Sequence, residues 1–134
     1  MLGSVLDGAG ADGLEAVEVV VTPALAPDPD LVRAADGYLL GTPANLGYMS
    51  GALKHFFDVI YEPCREPTAG RPYGLYLHGR TDTDGARLAV EKIVTGLGWR
   101  RAQPVVSSLG PVTDATREAC WELGAAMAAG LLLG

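Results

Sequence analysis

The segment from Leu39 to Asp58 combines residue types that suit a bound planar ligand. Its glycines allow a ligand to approach the backbone closely, its proline fixes a turn, and Tyr48 and Met49 offer a flat and a soft apolar contact. Backbone amides of such a loop can meet carbonyls and ring nitrogens while an aromatic side chain packs on the ring face. This combination favours a planar heteroaromatic ligand with polar edges. A purely structural turn whose Tyr48 belongs to the core would contain the same residues, and both interpretations remain open at this point.

Other residues that could do chemistry are isolated. His78 ends an apolar run, where an imidazole could donate to a ligand oxygen, although a partly solvated histidine is the plainer interpretation. Arg80 could pair with an anion or be only solvated. Cys64 and Cys120 belong to no C-x-x-C or Cys-His cluster, so we predict no metal site, and Cys64 lacks a nearby base that would make it a nucleophile. No side chain is predicted to act as a catalytic acid or base.

The string from Gly8 to Gly13 satisfies the G-x-G-x-x-G pattern of dinucleotide-binding loops. That pattern works only between a strand and a helix, because the helix N-terminus has to meet the pyrophosphate. Here it precedes the first predicted strand. We therefore interpret it as a flexible connection.

Strands and helices alternate along the chain. The predicted strands are Glu15–Val21, Asp36–Gly41, Arg71–Gly79 and Gln103–Ser107. The first two predicted helices are Met1–Ala9, as the tail of an earlier helix, and a short one through Arg33 and Ala34, for which Pro27–Asp30 offers an N-cap aspartate and a first-turn proline. The other three are one capped by Ser50 and ended by Pro63, one capped near Thr83 and ending at Gly96 or Gly98, and one capped by Thr113 or Asp114. This alternation predicts an α/β domain over residues 1–134, a parallel sheet with helices on both faces, whose ligands bind at the carboxyl ends of the strands.

Composition excludes several classes of function. The 134 residues are 49% hydrophobic and 19% charged, which is typical of a folded domain. The net charge of −6 opposes binding to nucleic acid. The N-terminal residues do not have the pattern of a signal peptide, and the most apolar window, Leu123–Leu133, is too short to span a bilayer. We therefore expect a cytoplasmic protein without membrane or nucleic-acid partners.

The string Gly41-Thr42-Pro43, Gly47 to Lys54 and Phe57-Asp58 resembles the isoalloxazine-binding loop and following helix of flavodoxin-like FMN proteins, in particular the NADPH-dependent FMN reductase and quinone reductase branch. The resemblance implies a flavodoxin-like three-layer sandwich, FMN as cofactor, NADPH or NADH as reductant, a quinone or flavin as acceptor, and a homodimer or homotetramer. The residues that it implies against the flavin ring are Thr42, Pro43, Ala44, Asn45, Leu46, Gly47, Tyr48 and Met49, with His78, Gly79 and Arg80 at the other edge.

One part of that family pattern is missing. Such proteins begin with an apolar strand and a Ser/Thr-rich loop that wraps the FMN phosphate, whereas Ser4 is the one hydroxyl residue before Val17. In the strand order 2-1-3-4-5 the first strand is central, so its absence would leave Val17–Val21 and Tyr38–Leu40 without their shared neighbour. We expect either an N-terminally shortened chain or one that has lost tight FMN binding. The alternative functions are an electron-transfer flavodoxin, whose acidic surface would suit basic partners, and a cofactor-free scaffold or interaction protein.

Overall fold

Two parallel strands of eight residues each form the centre of the sheet in the structure, a computed structural model that describes residues 1–134. They are β1 (Tyr38–Asn45) and β3 (Pro72–Gly79), and their register runs from Tyr38 opposite Tyr73 to Pro43 opposite His78. The short strand β2 (Tyr48–Met49) pairs antiparallel with the end of β1. On the other side of β3 lie β4 (Arg100–Arg101) and β5 (Val106–Leu109), both parallel to it.

Helices cover both faces of this sheet, which confirms the predicted three-layer α/β architecture. They are α1 (Leu2–Ala9), α2 (Pro29–Ala34), α3 (Gly51–Cys64), α4 (Asp84–Leu97) and α5 (Asp114–Leu133). The main core lies between the sheet and α3 and α4, where Phe57, Leu75 and Val90 are fully buried. On the opposite face, α5 packs against Gly74 of β3, and α1 packs against α5. None of these helices is long and apolar enough to cross a membrane.

Three of the five helices begin at side-chain caps of the kind that the sequence predicts. Asp28, Ser50 and Thr113 each accept a hydrogen bond from a backbone N–H two or three residues further on, at 3.0, 3.1 and 3.2 Å respectively. These bonds satisfy N–H groups that the first helical turn leaves without a partner. Gly98 ends α4 in the left-handed conformation at φ 78°, as a C-terminal glycine commonly does.

The prediction of a first strand at Glu15–Val21 is wrong. These residues form turns and irregular backbone, and the side chains of Val19, Val20 and Val21 are 42–58% exposed. The physical reason is that a strand exists only through its pairing, and β1 pairs with β2 and β3 alone. A run of β-branched residues predicts the preference for extended backbone but supplies no partner.

Two predicted boundaries also shift. The strand predicted at Gln103–Ser107 begins later, as β5 at Val106, and the two-residue strand β4 precedes the predicted range. Pro104 lies between them, where the chain leaves the sheet, because a proline cannot donate to a ladder. Pro63 lies inside α3, which runs one residue further to Cys64. The proline removes one N–H, but the Arg65 N–H still donates to the Tyr61 carbonyl at 3.0 Å and continues the last turn.

Trp99 is a buried core residue. Its ring stacks on Tyr38 with centroids 4.0 Å apart, and its Nε1–H donates to the Thr68 hydroxyl at 2.8 Å. The Thr68 hydroxyl in turn donates to the carbonyl of Cys64 at 2.5 Å. The buried indole therefore has its polar atom satisfied, and it connects the end of α3 to the start of β1.

Helix α1 lies against α5 at a distance that only glycine permits. A Cβ added at Gly8 would overlap the carbonyl of Trp121, and one added at Gly124 would overlap the carbonyl of Val5. The backbones of the two helices are thus in direct contact at both positions. This contact fixes where α1 begins relative to the sheet.

Gly124→Ala should therefore destabilise the fold by about 1–3 kcal/mol, because the new methyl group forces the two helices apart. Gly130→Ala is the matched control on the same helix, where a Cβ would meet nothing within 4 Å. That control should be neutral or slightly stabilising, since alanine is the better helix former. Urea unfolding of both variants is the measurement, and equal stabilities would contradict the close packing of α1 on α5.

Candidate functional site

A crevice of about 270 Å³ opens at the carboxyl ends of the two central strands. This is where ligands bind in open α/β sheets, because the loops that leave adjacent parallel strands diverge there. Three of the predicted site residues, Thr42, Pro43 and His78, lie together in it. The full lining is Met1, Gly41, Thr42, Pro43, Tyr76 and His78.

Tyr76 also lines this crevice, and it is not among the predicted site residues. It stands directly opposite Gly41 in the ladder, and a Cβ at Gly41 would overlap its ring. The ring therefore lies across the position that a larger residue would fill. The signal that could have identified it is the period of two along a strand, which puts Tyr76 on the same face as His78. Burial raises the pKa of Tyr76, so its hydroxyl stays protonated at neutral pH.

Residues 42–49, predicted as a loop, form a β-hairpin instead. β1 continues through Asn45, and Asn45 and Ala44 pair with Tyr48 and Met49 of β2. The two residues between the strands have positive φ, 49° at Leu46 and 75° at Gly47, as in a type I′ turn. The prediction of a loop is wrong here because the usual Asn-Gly signal of such a turn is replaced by Leu-Gly.

The tip of the hairpin rests on the first turn of α4. A Cβ added at Gly85 would overlap the carbonyl oxygen of Gly47, so the two glycine backbones touch. At its foot, the Ser50 N–H donates to the Thr42 hydroxyl at 2.9 Å. The hairpin is thus held at both ends by contacts within the protein.

The hairpin residues predicted against the flavin ring differ in what they expose. The side chains of Thr42 and Met49 are buried, and Met49 lies in the hydrophobic core, so its side chain packs inward. Tyr48 is 41% exposed and Leu46 is fully exposed. The other exposed or partly exposed residues are Pro43, Ala44, Asn45 and Gly47. The predicted contacts with the ring therefore remain predictions for these exposed positions and for the main chain.

The end of β3 and the loop after it carry the other predicted site residues, His78, Gly79 and Arg80. His78 Nε2–H donates to the Gly110 carbonyl at 2.6 Å, and the Gly110 N–H donates to the Gly79 carbonyl at 2.8 Å. The loops that follow β3 and β5 are therefore joined. A neutral His78 is left with Nδ1 as an acceptor, so it could donate to a ligand only as an imidazolium. Arg80 is exposed and forms no ion pair.

The N-terminal end of α1 reaches the same crevice through Met1. No side chain accepts a hydrogen bond from the first turn of this helix. Such an end favours anionic groups. Ser4 contributes the one hydroxyl in this helix. The foot of the hairpin and the N-terminal end of α1 thus border the same crevice.

The cysteines and the other histidine lie outside this arrangement. Burial raises the pKa of both the Cys64 and the Cys120 thiols, which keeps them in the unreactive protonated form. His55 is exposed on α3. None of these three side chains lines the crevice.

The family described as NADPH-dependent FMN reductase matches residues 15–113 of the chain. The fold is similar to that of a solved archaeal flavodoxin, at 17% identity and a TM-score of 0.78 over 97% of this chain and 90% of that one. It is also similar to a flavodoxin, a WrbA-like protein from Agrobacterium tumefaciens, at 17% identity and a TM-score of 0.75, covering 98% and 87%. The two-electron reduced flavodoxin of Megasphaera elsdenii has 20% identity and a TM-score of 0.72, covering 96% and 88%.

No curated protein sequence matches the chain. The solved structures confirm the flavodoxin-like fold, and the family match covers the hairpin, β3 and the loops at the crevice.

Gly85→Ala should release the tip of the hairpin, because its methyl group would occupy the space of the Gly47 carbonyl oxygen. We expect faster amide hydrogen exchange at residues 44–49 and a loss of about 1–3 kcal/mol in stability. Leu88→Ala, at a position 56% exposed on the same helix, is the control and should leave that exchange unchanged. Equal protection of the hairpin in both variants would show that the tip does not depend on α4.

Proposed function

Because the chain belongs to the NADPH-dependent FMN reductase family, we propose that it binds FMN and passes reducing equivalents from NADPH or NADH to a quinone or a flavin. Membership of this family implies an FMN-binding flavoprotein. The observation that carries the proposal is the position of the hairpin and the crevice, which meet at the carboxyl ends of β1 and β3. A flat ring with polar edges would lie against the hairpin, and an anionic tail would lie against the N-terminal end of α1.

The hairpin would hold the isoalloxazine ring. Its exposed main-chain groups can pair with ring carbonyls and nitrogens, and Tyr48 offers a ring for stacking. His78, Gly79 and Arg80 would border the other edge. The first turn of α1, which contains Ser4, would face the phosphate.

When bound, FMN supplies the hydride and electron chemistry, so no side chain has to act as an acid or base. The chain's own residues position and screen the ring. Tyr76 contributes a protonated phenol on the floor of the crevice, since burial raises its pKa. His78 presents an acceptor nitrogen while its other nitrogen stays bound to Gly110.

A second candidate function, an electron carrier that oxidises no NADPH, is favoured by one specific observation. The net charge of −6 would promote docking to basic redox proteins through electrostatic steering. Both candidates require FMN, and they differ in whether the reductant is a nicotinamide or a protein.

Titration of the purified protein with FMN should quench flavin fluorescence with one-to-one stoichiometry. The loaded protein should then oxidise NADPH or NADH when a quinone or free flavin is present. A protein that binds FMN but oxidises neither nucleotide would support the electron carrier. A folded protein that ignores FMN would leave only the scaffold alternative.

Tyr48→Leu should weaken FMN binding about threefold to tenfold, because an aromatic contact contributes about 0.5–1.5 kcal/mol beyond its buried area. The quenching of flavin fluorescence by the protein should fall as well. Tyr61→Leu, further along α3 and outside the crevice, is the control and should change neither value. Identical dissociation constants for the Tyr48 and Tyr61 variants would argue against stacking at the hairpin.

A further inference from the structure

The one hydrogen of the Thr42 hydroxyl is already donated inside the protein. The residue is 5% exposed, its Oγ1 accepts from the Ser50 N–H at 2.9 Å, and its O–H donates to the Pro43 carbonyl at 2.9 Å. A threonine hydroxyl has one hydrogen to donate. Thr42 therefore cannot donate to a ligand without breaking a bond that the free protein already makes.

The partner of Thr42 is the residue that starts the next helix. Ser50 is the N-cap of α3, and its own hydroxyl accepts from the Leu53 N–H at 3.1 Å. The Thr42 hydroxyl thus joins the end of β1's parallel ladder to the first turn of α3, across the eight residues of the hairpin. If this bond is lost, the two feet of the hairpin are connected only through its own ladder.

Contacts restrain the hairpin at three positions along its length. The Thr42–Ser50 bond closes its foot, the pairing of Ala44 with Met49 holds its middle, and the backbone contact of Gly47 with Gly85 holds its tip. All three restraints exist without a ligand. A preorganised loop binds more tightly because less conformational freedom is lost on binding.

From this geometry we propose that Thr42 is a positioning residue. Its hydroxyl sets the placement of the hairpin's main-chain groups against FMN and does not itself contact FMN. The proposal rests on the proposed function and assigns Thr42 a different role from the direct contact that the family resemblance implies. Exposed hairpin residues, with Tyr48 foremost, would then make the contacts that Thr42 aligns.

The test compares Thr42→Val, which keeps the shape and removes the hydroxyl, with Thr42→Ser, which restores a hydroxyl. In protein without FMN, Thr42→Val should speed hydrogen exchange of the Ser50 amide about tenfold or more, and Thr42→Ser should restore most of the protection. Thr42→Ala replaces the valine variant if that one does not fold. Unchanged exchange at Ser50 in the folded variants would overturn the proposal.

The second arm uses FMN. Thr42→Val should weaken FMN binding about tenfold and should shift the visible absorption bands of FMN at saturation, because the ring meets a displaced hairpin. Thr42→Ser should restore both the affinity and the bands. A folded Thr42→Val protein with wild-type affinity and bands would reduce Thr42 to a merely structural residue and overturn the proposal.

The two proposals fail in different ways. A wild-type protein that binds no FMN contradicts the proposed function and overturns the part of this proposal that concerns FMN. Slow, hydroxyl-dependent exchange at Ser50 supports the closure of the hairpin foot in either case, because that measurement is made without FMN.

Discussion

The parallel ladder between β1 and β3 is the interaction on which the rest of the structure depends. It runs from Tyr38 opposite Tyr73 to Pro43 opposite His78, so Pro43 and His78 lie side by side at its carboxyl end. The hairpin forms at this end of β1, and His78 lies at the same end of β3, so the two groups of predicted site residues lie together. A shift of one residue in this register would turn Tyr76 and His78 to the other face.

The sequence predicts helices better than strands in this chain because the two kinds of element form differently. Helix starts at Asp28, Ser50 and Thr113 follow from side chains that cap their own neighbours. Val17–Val21 has the composition of a strand, but pairing depends on residues far along the chain, and no strand lies beside it. Residues close together in the sequence are therefore enough to predict a helix cap, but they do not show whether a strand will find a partner.

The same distinction holds at the site. The stretch that starts at Thr42 is identifiable from residue types, yet its hairpin is not, because Leu46 occupies a position with φ 49° that favours asparagine or glycine. A left-handed leucine costs about 1–2 kcal/mol, and the restraints at Thr42 and Gly47 offset that cost. The role of Tyr76 follows only once its strand is placed beside Gly41.

We propose above all that FMN binds where the hairpin meets the end of β3 at His78. Amide hydrogen exchange with and without FMN tests it most directly, because it locates binding residue by residue. The account predicts slower exchange on FMN addition in residues 42–49 and 78–80 and in the first turn of α1, with the distant end of α5 unchanged. Protection confined to other parts of the chain, or no change at saturating FMN, would contradict it.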